Sequence, residues 1–197
     1  MPLEAVTSLV TFGSELLSNP RPMGSAVPSS RFLGRRMASF LPRNPRGYVV
    51  ELGAGTGSIT AALLGRGIPA DRLIPVERSE TMFRHLRKRF PHVKIALGDA
   101  TELRALLTAF LGEDDFEVSY IVSSLPLRSL PEAVVTSILH EVSDVLHKDG
   151  KLVQFTYNLG KTPNPALSGF KRRHTTVVWA NFPPARVDVF QKNAKHA

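Results

Sequence analysis

The sequence predicts an α/β fold: a mostly parallel sheet of seven strands, helices on both faces, and a C-terminal antiparallel hairpin. Three observations predict it. From residue 48 to residue 157, short apolar runs alternate with amphipathic stretches of helical spacing, the pattern of a parallel sheet covered on both sides. Tyr48-Val49-Val50-Glu51-Leu52 is followed at once by Gly53-Ala54-Gly55-Thr56-Gly57-Ser58, three glycines at alternate positions directly after a strand. The last two β-rich runs, 175–179 and 186–191, are joined across Asn181-Phe182-Pro183-Pro184, with no helix between them, and so pair antiparallel.

The chain has 197 residues, 43 % of them hydrophobic, enough to fill one core. It shows no internal repeat and no second domain, and divides into an N-terminal helical segment, 1–46, and the domain proper, 47–197. There is no cysteine, which excludes a disulfide framework and a thiolate metal site. No signal peptide and no apolar run of membrane-spanning length is present, so a cytoplasmic protein is expected. The net charge of +8 is unevenly spread: +4 over residues 1–46, −3 over 47–149 and +7 over 150–197. Basic ends around an acidic middle suit an anionic partner, lipid headgroups or nucleic acid.

Taken in order, residues 3–17 carry Val6, Leu9, Val10, Leu16 and Leu17 on one helical face, with Phe12 at its edge, and Ser18-Asn19-Pro20 ends the helix. That helix has no Lys or Arg of its own and is either an interfacial anchor or a lid on the domain. Residues 23–27 are a short apolar link. Pro28-Ser29-Ser30 starts a second helix, with serine as its N-cap, that continues over 31–41 and carries Arg31, Arg35 and Arg36. After the first strand and the glycine turn, 58–64 is a helix ending near Gly65 and Gly67. Residues 72–76 form the second strand, ending at Glu77, although Pro75 argues against an interior strand. Ser79 caps a helix over 80–90; 93–97 is the third strand; 101–111 is a helix; 116–122 is the fourth strand. A long helix spans 131–147, Asp149-Gly150 turns, and 151–157 is the fifth strand.

Glycines in such a turn let a ligand approach the backbone, because no Cβ stands in the way. Glu77 lies 20 residues past Gly57 at the end of a strand, where a carboxylate accepts ribose hydroxyls. A nicotinamide cofactor would use the same geometry, but the spacing is G-x-G-x-G with Ser58 in the sixth position. Glu51, just before the turn, would repel a pyrophosphate and instead suits an ammonium or sulfonium. Asp99, after the third strand, is placed to accept an adenine amino group. S-adenosylmethionine meets all three conditions. The six histidines assemble no metal site: His140-Glu141 begins an H-E-x-x-H-like run, but Asp144 stands where the second His belongs, and these are surface residues of a helix.

The runs ELGAGTGSIT, PVERSE and GDATEL resemble the cofactor motifs of the Rossmann-like class I S-adenosylmethionine-dependent methyltransferases, over about residues 47–157. NPRPMGSAVPSSRFLGRRMA, SSLPL, QFTYN and VVWANFPPARV resemble bacterial phospholipid N-methyltransferases, which methylate phosphatidylethanolamine once or successively to phosphatidylcholine. Those enzymes are similar to rRNA adenine dimethyltransferases, the alternative function. Here Ser124-Leu125-Pro126-Leu127 stands where the rRNA enzymes carry Asn-Leu-Pro-Tyr, without the Asn for the exocyclic amine or the aromatic for stacking, and no added helical domain follows.

The resemblance implies roles. Gly53, Ala54, Gly55 and Gly57 lie under the cofactor, and Glu51 orients its methionine part. Glu77 holds the ribose with Arg78 beside it, and Asp99 with the backbone of Ala100 holds the adenine. Ser123 opens onto the sulfonium, while Ser29 and Ser30 close the site from the N-terminal side. Ser124, Leu125, Pro126 and Arg31 meet the substrate, and Tyr157 orients the amine as the catalytic candidate. The implied setting is a monomer acting peripherally on an anionic membrane at its inner face, with nucleic acid disfavoured and S-adenosylhomocysteine as product.

Overall fold

The computed structural model describes residues 29–160, 162, 164–181 and 183–193. The helix expected over 3–17, the link over 23–27 and the side chains of Ser29 and Ser30 lie outside what it describes. The elements run α1 (Ser29–Ala38), β1 (Tyr48–Leu52), α2 (Ser58–Arg66), β2 (Leu73–Glu77), α3 (Glu80–Arg89), β3 (Ala96–Leu97), a 3-10 turn over Ala100–Glu102, α4 (Leu103–Leu111), β4 (Val118–Ser123), α5 (Glu132–Val145), β5 (Leu146–Thr156), a second 3-10 turn over Pro165–Gly169, β6 (Phe170–Val178) and β7 (Ala185–Lys192).

The strands form one seven-stranded sheet in the order β3-β2-β1-β4-β5-β7-β6. The first five are parallel; β7 runs antiparallel to β5 and β6 antiparallel to β7, as the missing helix requires. Alternate residues of each strand feed two cores. On one face Val49, Val122, Val153 and Val187 meet Leu33 and Met37 of α1, Ile59 and Leu63 of α2 and Leu86 of α3. On the other, Val50, Ile121, Leu152 and Phe190 meet Leu107 of α4 and Val135, Ile138 and Val142 of α5. The strand order reverses direction between β1 and β4, and a crevice at the carboxyl ends of those two strands follows from it.

Pro75 sits inside β2 at no cost to the ladder. Arg72 and Val76 turn their carbonyls to β1, accepting from Val49 and Gly53, while Glu77 turns its own toward Gly98 beyond β3. Pro75, in phase with Glu77, therefore faces the β3 side, and β3 pairs only at Val76 and Glu77. The same fact shortens β3 from the expected five residues to two.

Other bounds shift. β5 begins at Leu146, where α5 ends, so Asp149-Gly150 is an irregularity inside the strand rather than a turn before it: the register steps from Val118↔Leu146 to Tyr120↔Lys151. β6 starts at Phe170, five residues earlier than expected, because the polar run Lys171 to His174 belongs to an edge strand, where Lys171, Arg173 and His174 face water. α1 ends at Ala38, so Leu41 packs in the core beyond it, and Ser29 and Ser30 fall in its first turn.

Candidate active site

The glycine turn adopts a left-handed backbone three times: φ is 73° at Gly53, 53° at Gly55 and 79° at Gly57. Two of these glycines are also close approaches. A Cβ on Gly53 would come within 2.9 Å of Leu125 Cδ2, and one on Gly57 would overlap the Phe90 ring and stand 2.8 Å from Leu86 Cδ2. Gly55 differs. Among the described residues the nearest atom to a Cβ there is the Gly53 carbonyl oxygen at 3.9 Å, so the turn's middle glycine borders space that none of them fills. A cradle that a side chain would fill is what a bound ligand needs.

Glu77 organises the turn. Its Oε2 accepts from Gly55 N and its Oε1 from Ser79 N, both at 2.8 Å. Each oxygen has satisfied one of its two acceptor directions and keeps another, as hydroxyls of a ribose would require. Asp99, at the mouth of the next loop, accepts at Oδ1 from the amide and hydroxyl of Thr101, both at 3.0 Å, and at Oδ2 from Arg78 at 3.3 Å. Partial burial would raise the Asp99 carboxyl, but the Thr101 groups and the Arg78 guanidinium outweigh it and hold it below the usual carboxylate range. Ala100, the residue paired with Asp99 in the expected adenine contact, is buried beside it.

Glu51 is 0 % exposed in the middle of the sheet. Thr60 Oγ1 donates to its Oε2 at 2.6 Å; Oε1 has no partner among the described residues. Burial pushes its pKa to about 8, against the pull of the Thr60 hydroxyl and amide and with a small push from Glu77. An unpartnered buried carboxyl oxygen next to the glycine turn fits a cation and does not fit a pyrophosphate. With the open cradle at Gly55, the residues present suit S-adenosylmethionine.

Ser123 ends β4 opposite Leu52, and its Oγ accepts from Leu125 N at 3.3 Å. The Ser124 hydroxyl lies 3.1 Å from the Leu52 carbonyl and 2.8 Å from that of Gly53, so it ties β4 to the turn rather than reaching outward. Leu125 packs over Gly53, and its carbonyl accepts from Gln154 Nε2 at 2.9 Å. Beside this loop, between the ends of β4, β5 and β7, lies a cavity of about 270 Å³ lined by Pro126, Gln154, Tyr157, Arg186 and Asp188 among others. Tyr157 stands at it 47 % exposed, edge-on to Phe155 at 5.5 Å and hydrogen-bonded to Asn181. Burial raises its hydroxyl above the ordinary tyrosine value.

Of the four residues expected at the substrate, only Pro126 lines this cavity. Arg31 is exposed on α1, because Leu33 and Met37 turn the helix's apolar face to the sheet. Gln154, Arg186 and Asp188 line it unannounced. Their signal in the sequence is the alternation of charges with Val187 and Val189 inside one strand of the closing hairpin. Glu141, in the H-E-x-x-H-like run, accepts from the amide of Arg104 at 2.7 Å and anchors the first turn of α4.

A family model described as methyltransferase domain matches residues 49–150. The ornithine lipid N-methyltransferase of Singulisphaera acidiphila is 34 % identical over 137 residues, 68 % of this chain and 70 % of that protein. The ribosomal RNA small subunit methyltransferase A of Mycoplasma mycoides is 26 % identical over 113 residues, 57 % of this chain and 41 % of that protein. Among solved structures, magnesium protoporphyrin IX methyltransferase from Synechocystis, with S-adenosylmethionine bound, superposes with a TM-score of 0.69 at 13 % identity, over 98 % of this chain and 99 % of that one, a likeness of fold.

Proposed function

Because the chain belongs to the class I S-adenosylmethionine-dependent methyltransferases, we propose that it transfers methyl groups to the amine of a membrane-lipid headgroup, with phosphatidylethanolamine as the acceptor. The observation that carries this reading is the likeness to a lipid N-methyltransferase across two thirds of both chains. The residues after β4 support it. Leu127, where the rRNA enzymes carry a stacking aromatic, is a buried core residue, and no aromatic replaces it in the loop.

S-adenosylmethionine, when bound, supplies a methyl group already activated on a sulfonium. The turn from Gly53 to Gly57 leaves room for it, Glu77 offers acceptors to its ribose, Asp99 to its adenine, and Glu51 Oε1 to its ammonium. What remains for the protein is to present a neutral amine in line and to exclude water from it. An ethanolamine headgroup is protonated at neutral pH, and its nitrogen lone pair is free only once that proton has passed to water. Tyr157, whose raised pKa keeps the phenol neutral, accepts from an amine N–H and fixes the lone pair's direction. Its ring face also suits the cationic products. Among the described residues no helix is long and apolar enough to cross a membrane, so access to the headgroup is peripheral in this reading, aided by the basic ends of the chain on an anionic bilayer.

The test is incubation of the protein with methyl-labelled S-adenosylmethionine and either phosphatidylethanolamine vesicles or small-subunit rRNA. Label in mono-, di- and trimethylated lipid is expected. Label in RNA with none in lipid would replace this function by the rRNA one.

A further inference from the structure

β7 reads Ala185-Arg186-Val187-Asp188-Val189-Phe190, and every one of these residues is buried. Val187 and Val189 belong to the core under α1 to α3; Arg186 and Asp188 share the opposite face with Phe190. Arg186 is 4 % exposed and Asp188 3 %. Both Nε and Nη2 of Arg186 stand 2.9 Å from Asp188 Oδ2. Across the ladder, Gln154 of β5 pairs with Asp188 and is 5 % exposed; its Nε2 donates to the carbonyls of Leu125 and Phe155.

Three polar atoms in this cluster make no hydrogen bond among the described residues: Arg186 Nη1, Asp188 Oδ1 and Gln154 Oε1. Arg172 Nη1 approaches Asp188 Oδ1 only to 3.9 Å. All three parent residues line the cavity next to Tyr157. A buried ion pair is weak evidence of a contribution to stability, since an apolar pair of equal volume commonly holds a fold as well. Leaving three buried polar atoms without partners adds to its cost. A polar cluster that the fold does not need, opening on a cavity beside the cofactor crevice, is explained by a ligand that completes it.

We infer that the cavity is a headgroup receptor in which Arg186 Nη1 donates to an anionic oxygen carried by the amine substrate, a phosphodiester or carboxylate, while Gln154 Oε1 and Asp188 Oδ1 accept N–H or O–H groups of the same headgroup. The inference rests on the lipid-amine reading and specifies how the lipid is recognised. A donor, Arg186 Nη1, and two acceptors, Asp188 Oδ1 and Gln154 Oε1, on residues that line one pocket suit a zwitterion and suit neither a bare amine nor a bare anion as well. Fixing the anionic oxygen also fixes how far the amine reaches toward the sulfonium, so that Arg186 selects the headgroup by its length.

The experiment uses the full chain saturated with S-adenosylhomocysteine. Glycerophosphoethanolamine, ethanolamine and inorganic phosphate are titrated separately, and the side-chain N–H resonances of Arg186 and Gln154 are followed by NMR. Glycerophosphoethanolamine is expected to shift both and to saturate at a concentration at least tenfold below the other two. Arg186→Met should weaken it at least tenfold and leave S-adenosylhomocysteine affinity unchanged. Should that variant fail to fold, the double change Arg186→Met with Asp188→Leu removes both charges at similar volume, keeps the melting temperature, and should lose the same binding. Binding within threefold of the native protein in either folded variant, or inorganic phosphate binding as tightly as glycerophosphoethanolamine, overturns the inference; the latter would make this a free-phosphate site. Lipid methylation by the native protein combined with such unchanged binding sinks the receptor and spares the proposed function. Arg186-dependent binding of glycerophosphoethanolamine without lipid methylation supports the receptor and sinks the function.

Discussion

The amide of Gly55 donates to the Glu77 carboxylate across 2.8 Å, so the middle of the glycine turn hangs on the side chain that ends β2. Glu77 thus has two tasks. It braces the turn and the Ser79 amide from within, and it offers its remaining acceptor directions to the cofactor ribose. Glu77→Ala should therefore lower the melting temperature as well as cofactor affinity. Hydrogen bonds to a charged acceptor contribute about 1.5–3 kcal/mol each, so at least a tenfold loss of S-adenosylhomocysteine affinity is expected by calorimetry. Native affinity in the folded variant would remove Glu77 from the site.

Gly55 and Gly57 separate by experiment. Gly57→Ala places a methyl against Phe90 and Leu86 and adds a left-handed backbone, so overpacking should cost about 1–3 kcal/mol in denaturant unfolding. Gly55→Ala meets no described residue closer than 3.9 Å and should cost about 1–2 kcal/mol from its positive φ alone. The binding losses should run the other way in proportion to stability: the milder Gly55→Ala fills the cradle and should nearly abolish cofactor binding. A Gly55→Ala protein that binds S-adenosylhomocysteine normally would mean that the cofactor lies elsewhere.

The parallel strands and the glycine turn were legible because both leave one-dimensional marks, an apolar run and a backbone that only glycine tolerates. The placing of the carboxylates was legible because Glu51 and Glu77 stand at the last residues of their apolar runs and Asp99 just after the third. What escaped depended on pairing. Pro75 argued against a strand because its missing donor matters only if a neighbour is there to accept, and the two-residue β3 leaves that side unpaired. Arg186 and Asp188 escaped because the sequence shows the closing hairpin but not which of its two strands is the sheet edge, and the place of β7 between β5 and β6 is what turns a surface-like alternation of charge into a buried ion pair at a cavity. Ser124, which the resemblance placed at the substrate, turns its hydroxyl to the backbone carbonyl of Gly53, a contact that depends on how closely the turn passes the end of β4.

Tyr157→Phe keeps the ring and removes a half-exposed hydroxyl whose partner is Asn181. The loss of one neutral hydrogen bond predicts a stability change of about 1 kcal/mol at most. Cofactor affinity should stay within twofold, because the residue stands at the acceptor cavity and not at the turn. Turnover on phosphatidylethanolamine vesicles should fall several-fold, with the methyl-labelled products in the same proportions. Equal turnover would take the hydroxyl out of the reaction.

Glu51 gives the chain a pH dependence of known sign. Its carboxyl has an ordinary value of 4.5 and is pushed to about 8 by burial, so between those values the folded protein binds a proton that the unfolded chain has released. Stability must then fall as pH rises through this window and level off above it, by a few kcal/mol in all, since each unit corresponds to about 1.4 kcal/mol. Glu51→Gln imitates the protonated acid and cannot ionise. The variant should match the native protein below pH 4.5 and exceed it in denaturant unfolding at pH 8 and above. The cofactor reverses the ranking. An ammonium beside Oε1 favours the carboxylate, so binding near pH 7 should release a proton, visible as a buffer-dependent enthalpy in calorimetry. Glu51→Gln should release none and bind at least tenfold more weakly: a more stable protein and a poorer enzyme. Native binding enthalpies that ignore the buffer's ionisation heat, with affinity unchanged in the variant, would leave Glu51 a buried acid held for some reason other than the cofactor's charge.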